Sequence, residues 1–443
     1  MKNKYDLAVN SSIIMNYPNE IIYIYKGEFK IESLNISTIV KGEIFFKWFP
    51  HPGVQFNAEV LNHLESNLLL FESDKIKLLI NNEVLGECYV KSQNISNKHI
   101  IKGGFYNKVL FGDKTLTSKE FKFSVLNFEE FLGNSIEYIE KDRVTYSRSR
   151  ILIKNDEFTI FIDKIPDFKS KLDLLKENGG YQILYNGKII VHKKSYNFRQ
   201  AHEILNIIGH FLSFISGKKN APTFLTAIHD DVILYTDFTG YANHMYEYRA
   251  SWSNELSTSY INDLFLNFHE IWKSNADNKS FLVYIIHWYT EINCNSGYSE
   301  GSLIMAQTAL ELLYNWLIVE NKRLIIGKDS ENISAANKMR LLISHLSINY
   351  DVPEKFTNLE KFKNDNKCID AIDAIVQIRN AIVHSQEEKR KKLSEIHSLV
   401  IYEAVQLSLW YIELSLLYIL KFKDKYTNRC SKEMSKLELP PWI

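Results

Sequence analysis

A chain of 443 residues exceeds what one hydrophobic core ordinarily serves, so two or three domains are expected. Apolar residues at 45% and charged residues at 24% exclude a disordered chain. Basic and acidic side chains balance at 53 each, which excludes a global field drawing the chain to nucleic acid or to an acidic membrane, so any such partner is met by a local patch.

The opening residues, MKNKYDLAVNSSIIMNYPNE, hold no continuous apolar run of the length a secretory signal needs. From about residue 20 to 195 the apolar period is near two, in segments rich in aromatic and β-branched residues such as IIYIYKGEFKIES, VQFNAEV and YQILYNGKIIVHK. Turns such as NNEV, KNDE and YNGK separate them. Seven or more such strands predict an antiparallel β-rich domain over residues 1–196, a sandwich or an open barrel. Residues 197–256 read as a connector: FRQAHEILNIIGHFLSFISG is a helix ending at Gly217, and a short strand pair follows near DVILYTDF. Residues 257–425 are almost wholly helical in pattern and predict an α-helical bundle, giving an α+β chain overall. Within it, AVQLSLWYIELSLLYIL from Ala404 to Leu420 is short for a bilayer, which needs roughly 20 apolar residues, and carries Gln406 and Glu413, so it reads as a buried helix. Residues 426–443, with Pro440 and Pro441, form a tail that is either docked or loose. The cysteines, Cys88, Cys294, Cys368 and Cys430, are far apart and outside any CxxC pair, which argues against a zinc knuckle or a disulfide framework and for a reducing cytoplasm.

One helix places a charge where packing is expected. In KCIDAIDAIVQIRNAIVH the apolar positions Ile372, Ile375, Val376, Ile382 and Val383 define an arc that includes Arg379, with Asn380 and His384 on its flank. An unpaired buried guanidinium costs several kcal/mol, so Arg379 is expected to meet an anion. Glu311, set among apolar neighbours in SEGSLIMAQTALELLYNWLIVEN, is a candidate, and a structural Arg379–Glu311 ion pair is one reading. The other is chemical. Arginine, asparagine and histidine on one side of a helix supply a fixed fork of donors for a phosphate, an orienting amide and a group that exchanges protons near neutral pH. That set suits phosphodiester cleavage with a 2′-hydroxyl as nucleophile.

The arrangement resembles the HEPN superfamily, whose nuclease members carry an R-x(4–6)-H motif near the end of a bundle helix, frequently with a polar residue directly after the arginine. Arg379, Asn380 and His384 fit that pattern, and EGSLIMAQTALELLYNW is similar to the helix preceding the motif in the ApeA-like branch, with Glu311 at the acidic position. VLNFEEFLGNSIEYI and GHFLSFISGKKNAP look like segments of the amino-terminal domain of that branch, and no aromatic follows His384 by two residues, since Gln386 stands there, unlike some toxin members. The resemblance implies a cytoplasmic, metal-independent endoribonuclease without cofactors that works as a homodimer through the bundle and leaves 2′,3′-cyclic phosphate and 5′-hydroxyl ends. Arg379 would bind the scissile phosphate and His384 would act as general acid or base. Asn380 would orient one of them, and Glu311 would hold Arg379 or join the proton transfers. It further implies antiphage defence by abortive infection: the N-terminal domain senses a phage component, a protein by expectation, and the bundle cuts host RNA, with tRNA among the candidates. The rival reading is a non-catalytic bundle that binds RNA or a protein partner.

Other motifs are weaker. EEKRKKLSE brings Lys389, Arg390, Lys391 and Lys392 directly after His384, a solvated turn or a contact for flanking phosphates. His202, Glu203 and His210 lack HExxH spacing and read as structural. IHDD, around Asp230 and Asp231, reads as a turn, and WFPHPG, Trp48 to Gly53, as a rigid aromatic loop that could serve recognition. Neither a P-loop nor a GxGxxG occurs, so no nucleotide-hydrolysing loop or dinucleotide cofactor is expected.

Overall fold

The structure is a computed structural model that describes residues 5–10, 12–33, 37–61, 76–95, 98–106, 109–140, 143–240, 243–253, 259–297, 300–383, 394–433 and 436–443. After the short β1 (Asp6–Leu7) come six strands: β2 (Ile22–Glu32), β3 (Ser37–Lys47), β4 (Gly53–Val60), β5 (Ile76–Ile80), β6 (Glu83–Ile95) and β7 (His99–Phe105). Period-two patterning gives each an apolar face, and in β4 the buried residues are Val54, Phe56, Ala58 and Val60. Closing these strands in the order β2-β3-β4-β7-β6-β5 buries those faces together and leaves no free edge. Packing is tight enough that a Cβ on Gly103 would lie 2.2 Å from the Tyr89 carbonyl oxygen and 2.5 Å from the Phe56 ring. The NNEV turn between β5 and β6 places Asn81 and Asn82 at φ 52° and 66°, the two left-handed residues of a type I′ hairpin. The β-rich region thus contains a closed barrel, where the sequence left open a sandwich or an open barrel.

A nine-stranded sheet follows, built from β8 (Leu110–Gly112), β9 (Glu120–Leu126), β10 (Asn134–Glu140), β11 (Arg143–Lys154), β12 (Phe158–Lys164), β13 (Ile183–Val191), β14 (Thr223–His229) and β15 (Val232–Asp237) together with β1. Its order is β1-β10-β11-β12-β13-β9-β14-β15-β8, antiparallel except for the β1–β10 pair. Helix α1 (Phe168–Asn178) links β12 to β13, and α2 (Phe198–Ser216) links β13 to β14, ending where Gly217 takes φ 65°. The strands β14 and β15 are therefore members of this sheet, because β14 pairs with β9 on one side and β15 on the other; the stretch 197–256 is no separate connector. Trp48 is almost wholly buried, donates from Nε1 to the Glu20 carbonyl at 2.8 Å and stacks on Tyr181 at 5.3 Å. The WFPHPG segment is an anchor within the β-rich unit at Trp48, while Phe49 stays exposed.

Two compact units result: Met1–Glu129 with Gly133–Gly209 and Asn220–Glu247, and Glu130–Leu132 with His210–Lys219 and Tyr248–Ile443. The second carries α3 (Ile261–Ser274), α4 (Ala276–Cys294), α5 (Glu300–Tyr314), a π-helical segment (Asn315–Asn321), α6 (Lys328–Asn332), α7 (Ala335–His345), α8 (Thr357–Asp365), α9 (Ala371–Val383) and α10 (Ser398–Ile419). Apolar on all sides, α10 packs against α4, α5, α8 and α9. Two helical stretches, Glu300–Asn321 and Ser398–Ile419, have the length and composition of membrane spans, yet 83% of the second is enclosed by protein, as the buried-helix reading expects. The tail is docked: β16 (Tyr426–Thr427) pairs with β17 (Leu437–Glu438), and the Thr427 N–H donates to the Trp252 carbonyl at 2.7 Å.

Candidate functional site

Helix α9 starts from a fixed point. Asp370 caps it by accepting the Asp373 N–H at 2.7 Å. Arg340 of α7 grips the same carboxylate with both arms of its fork, Nε at 2.7 Å and Nη2 at 3.0 Å. Burial pushes the Asp370 carboxyl up, but hydrogen bonds from Arg340 and the helix N–H outweigh it and hold the group below its usual range. From there Ile372, Ile375 and Ile378 run down the buried side of α9, which packs against α5, α7, α8 and α10.

Arg379 is half-buried one residue beyond Ile378. Its Nη1 donates to Asn380 Oδ1 at 3.2 Å, while its Nε is shielded from solvent and has no partner. Among the described residues no carboxylate pairs with it. Glu311 is half-buried on α5, and no Arg379–Glu311 ion pair forms. The structural ion-pair reading of Arg379 with Glu311 thus fails, and the guanidinium, only partly withdrawn from water, meets a smaller desolvation cost than a buried one. Ile382 is half-buried and Val383 exposed, so the apolar arc ends earlier than the spacing suggests. Arg379 and Asn380 are brought together; His384, Lys389, Arg390, Lys391 and Lys392 lie outside the described residues. Among the described residues the Arg379 fork thus has one amide acceptor and no counter-ion.

The buried arginine–glutamate pair of this unit is a different one, and sequence reading missed it. Glu413 of α10 is wholly buried, and Arg429 of the tail donates to it from Nε at 2.8 Å and from Nη2. Arg429 Nη1 reaches Gln406 Oε1 at 3.0 Å, and Nη2 reaches the Ala250 carbonyl at 3.1 Å. Asn293 Oδ1 accepts from both arms, at 3.3 and 3.2 Å. Tyr289 adds its hydroxyl to Glu413 at 2.6 Å. Burial disfavours the Arg429 charge, yet the Glu413 carboxylate holds the guanidinium above its ordinary range; burial and the same carboxylate push the Tyr289 phenol well up. The polar residues Gln406 and Glu413 inside an apolar helix were the available signal.

The remaining motifs take structural places. His202 Nε2 lies 3.0 Å from Asp237 Oδ2, and Thr239 donates its N–H to the same carboxylate at 2.9 Å. Burial raises the Asp237 carboxyl, but His202 and Thr239 bring it below its usual range. His210 packs against Trp272 with ring centres 5.2 Å apart and planes tilted by 53°. Asp230 and Asp231, at φ 46° and 63°, are the type I′ turn between β14 and β15. No cluster of metal-ligating side chains occurs among the described residues, and the cysteines described there form no disulfide.

Two family models match the chain: one described as the YopA C-terminal domain over residues 275–438, the other as the YopA central domain over residues 113–249. Neither description names an activity, and the barrel strands β2 to β7 precede both matched stretches. No solved structure matches. Among curated proteins, the chain is similar to the SPbeta prophage-derived uncharacterized protein YopA of Bacillus subtilis (strain 168), 27% identical over 457 aligned positions that span 99% of this chain and 98% of that protein.

Proposed function

We propose that the helical unit is a HEPN-type, metal-independent endoribonuclease. The observation that carries this reading is the state of Arg379: half-buried, its Nε unpartnered, no carboxylate on it among the described residues, and an asparagine amide beside it. Such a fork binds a scissile phosphate and neutralises charge as the phosphorane forms. On this reading the 2′-hydroxyl attacks the adjacent phosphorus and the 5′-oxygen leaves. His384 moves a proton on or off these oxygens, and the products are a 2′,3′-cyclic phosphate and a 5′-hydroxyl. Asn380 holds the Arg379 fork in register. Glu311 is then a neighbour of the helix pair with no direct hold on Arg379. The run Lys389 to Lys392 would engage flanking phosphates, and isologous pairing of two bundles would set two motifs across one cleft.

The biological role we infer is antiphage defence in the cytoplasm, with the β-rich unit sensing a phage protein and host RNA, tRNA included, as substrate. The resemblance to ApeA-like proteins supports it, and a similar protein is by name prophage-derived. The test is cleavage of total cellular RNA in excess EDTA by wild type and His384→Ala, with product ends mapped and lysates of phage-infected cells as a second condition. Cyclic-phosphate ends that appear with wild type in either condition and vanish in the variant are expected. Absence of cleavage in both conditions, or equal cleavage by both proteins, would refute the nuclease and favour a bundle that binds RNA or protein without cutting.

A further inference from the structure

The outside of the barrel carries a row of aromatic rings. Directly paired positions cross five strands: Tyr23 of β2 opposite Phe45 of β3, Phe45 opposite Gln55 of β4, Gln55 opposite Gly104 of β7, and Gly104 opposite Tyr89 of β6. Their chain neighbours Ile44, Phe46, Phe56 and Cys88 are almost wholly buried, and successive strand residues point to opposite faces, so this row faces outward. At an inter-strand spacing of about 4.8 Å it spans roughly 19 Å. Tyr23 is 53% exposed, and its ring centre lies 6.2 Å from that of the half-buried Phe45. At the other end the Tyr89 ring lies across Gly104, where an added Cβ would meet the phenol oxygen at 2.7 Å and a ring carbon at 2.9 Å. Tyr106, 50% exposed, packs beside Tyr89 with ring centres 5.0 Å apart. The missing side chain at Gly104 is what lets the ring lie down on the sheet.

The charges bordering this row do not cancel. Glu43 pairs with Lys26 at 3.3 Å, and Glu87 sits opposite Lys77. Lys26 also holds its ammonium 3.7 Å from the centre of the Tyr23 ring, which seats a cation within the row. Three further lysines are exposed: Lys47, next along the outer face of β3 from Phe45; Lys102, next along that of β7 from Gly104; and Lys91, in the bulge of β6 after Tyr89. Among the described residues no ion pair holds any of the three. Between the rings lie the half-buried amide of Gln55 and, in the adjoining register opposite Lys102, the exposed amide of Asn57. The face thus combines rings, neutral amides and an excess of positive charge.

We propose that this face binds single-stranded RNA. Unpaired bases stack on Phe45 and Tyr89, with Tyr23 and Tyr106 extending the platform at either end. Lys47, Lys91 and Lys102 take phosphates along the row, and the Gln55 and Asn57 amides reach 2′-hydroxyls. A duplex keeps its bases stacked on one another and offers none to the rings. An extended peptide would add to a strand edge, which a closed barrel does not present, and an aliphatic partner would have to bury the bordering lysines. The row lies within the β-rich unit, so binding there is independent of whether the helical unit cuts RNA.

The probe is a fluorescein-labelled oligouridylate of about 12 nucleotides, titrated by fluorescence polarisation in EDTA into the full chain carrying His384→Ala, so that the nuclease reading and this one are tested apart. Saturable binding is expected, at least threefold tighter than for the oligodeoxyuridylate of the same length and at least tenfold tighter than for an RNA duplex. Tyr89→Leu and Phe45→Leu keep apolar cover on the sheet but remove the stacking face, and each should weaken binding fivefold or more, while Tyr89→Phe should bind as the parent does. Lys47→Gln and Lys102→Gln should each lower the slope of log affinity against log salt by about 0.7. Both lysines are exposed, so these variants should keep the parent melting curve even if a ring variant does not fold. No saturation up to millimolar protein, equal affinity for the deoxy strand or the duplex, or folded leucine and glutamine variants that bind as the parent does would overturn the proposal.

Discussion

Replacing Arg429 with methionine tests what locks the C-terminal tail to the helices. The substitution removes the cation of a pair whose carboxylate, Glu413, has no exposed surface, and it strips donors from Asn293, Gln406 and the Ala250 carbonyl as well. Leaving one charge of a buried pair without its partner costs about 3–5 kcal/mol. Methionine fills much of the arginine's volume, so little of that is cavity. With a urea dependence of about 2–3 kcal/mol per molar for a unit of this size, the midpoint should fall by roughly 1–2 M. Tryptophan fluorescence isolates the effect, because Trp48 is the sole tryptophan of the β-rich unit and the others lie in the helical one. The double variant Arg429→Met with Glu413→Leu removes both charges together and should recover at least half of the loss, because a buried ion pair exchanged for apolar residues is close to neutral. A single variant whose midpoint moves by less than about 0.3 M, or a double variant whose losses simply add, would refute the claim that the pair is a coupled buried lock.

Glu311→Gln and Arg379→Gln should each cost under about 0.5 kcal/mol and show no coupling in a double-mutant cycle, because neither side chain holds the other; coupling above about 1 kcal/mol would reinstate the ion pair. Arg379→Lys keeps the charge but loses the planar fork, so RNA cleavage should fall at least tenfold while the melting midpoint holds; retained cleavage would remove Arg379 from phosphate binding. Asp370→Ala should cost about 1 kcal/mol through loss of the α9 cap, with more from the freed Arg340, by urea titration. The pH sign follows from the lowered Asp370 carboxyl: its contribution is complete above the ordinary value of 3.8 and drains as pH falls through the lower folded value. The Asp370→Ala variant should therefore lose less stability than wild type between pH 4 and acid, and equal acid sensitivity would contradict the cap. Gly103→Ala forces a methyl against the Tyr89 carbonyl and the Phe56 ring and should cost about 3 kcal/mol or fail to fold; a neutral melting curve would show that the barrel yields there.

How much of this was legible in the sequence depends on how local each determinant is. The strands of the barrel announce themselves, since alternation in VQFNAEV is the alternation of Val54, Phe56, Ala58 and Val60 toward one core. Helix α2 and its stop at Gly217 are equally local, as are the asparagine and aspartate pairs that make the hairpins. What period two cannot encode is which strands share a sheet. The same pattern serves a barrel, a sandwich or an open sheet, and β14, separated from β9 by almost a hundred residues, joins it only through tertiary pairing.

The candidate site divides along the same line. Helical phase correctly sets Arg379 toward its neighbours, but phase says nothing of depth, and depth decides whether a guanidinium needs a protein carboxylate. Half-buried, Arg379 does without one; wholly buried, Arg429 takes Glu413, Gln406, Asn293 and a carbonyl. Sequence patterning could flag Glu413 as out of place in an apolar helix, yet its partner comes from a tail with no periodicity of its own, so spacing pointed to the wrong arginine. The contrast bears on function. A bundle that satisfies one arginine completely and leaves another with an unpartnered, shielded nitrogen has the means to pair both internally and has not done so at Arg379. The half-buried fork with its neighbouring amide is what the proposed phosphate-binding role of Arg379 rests on, and the Arg379→Lys variant is its test.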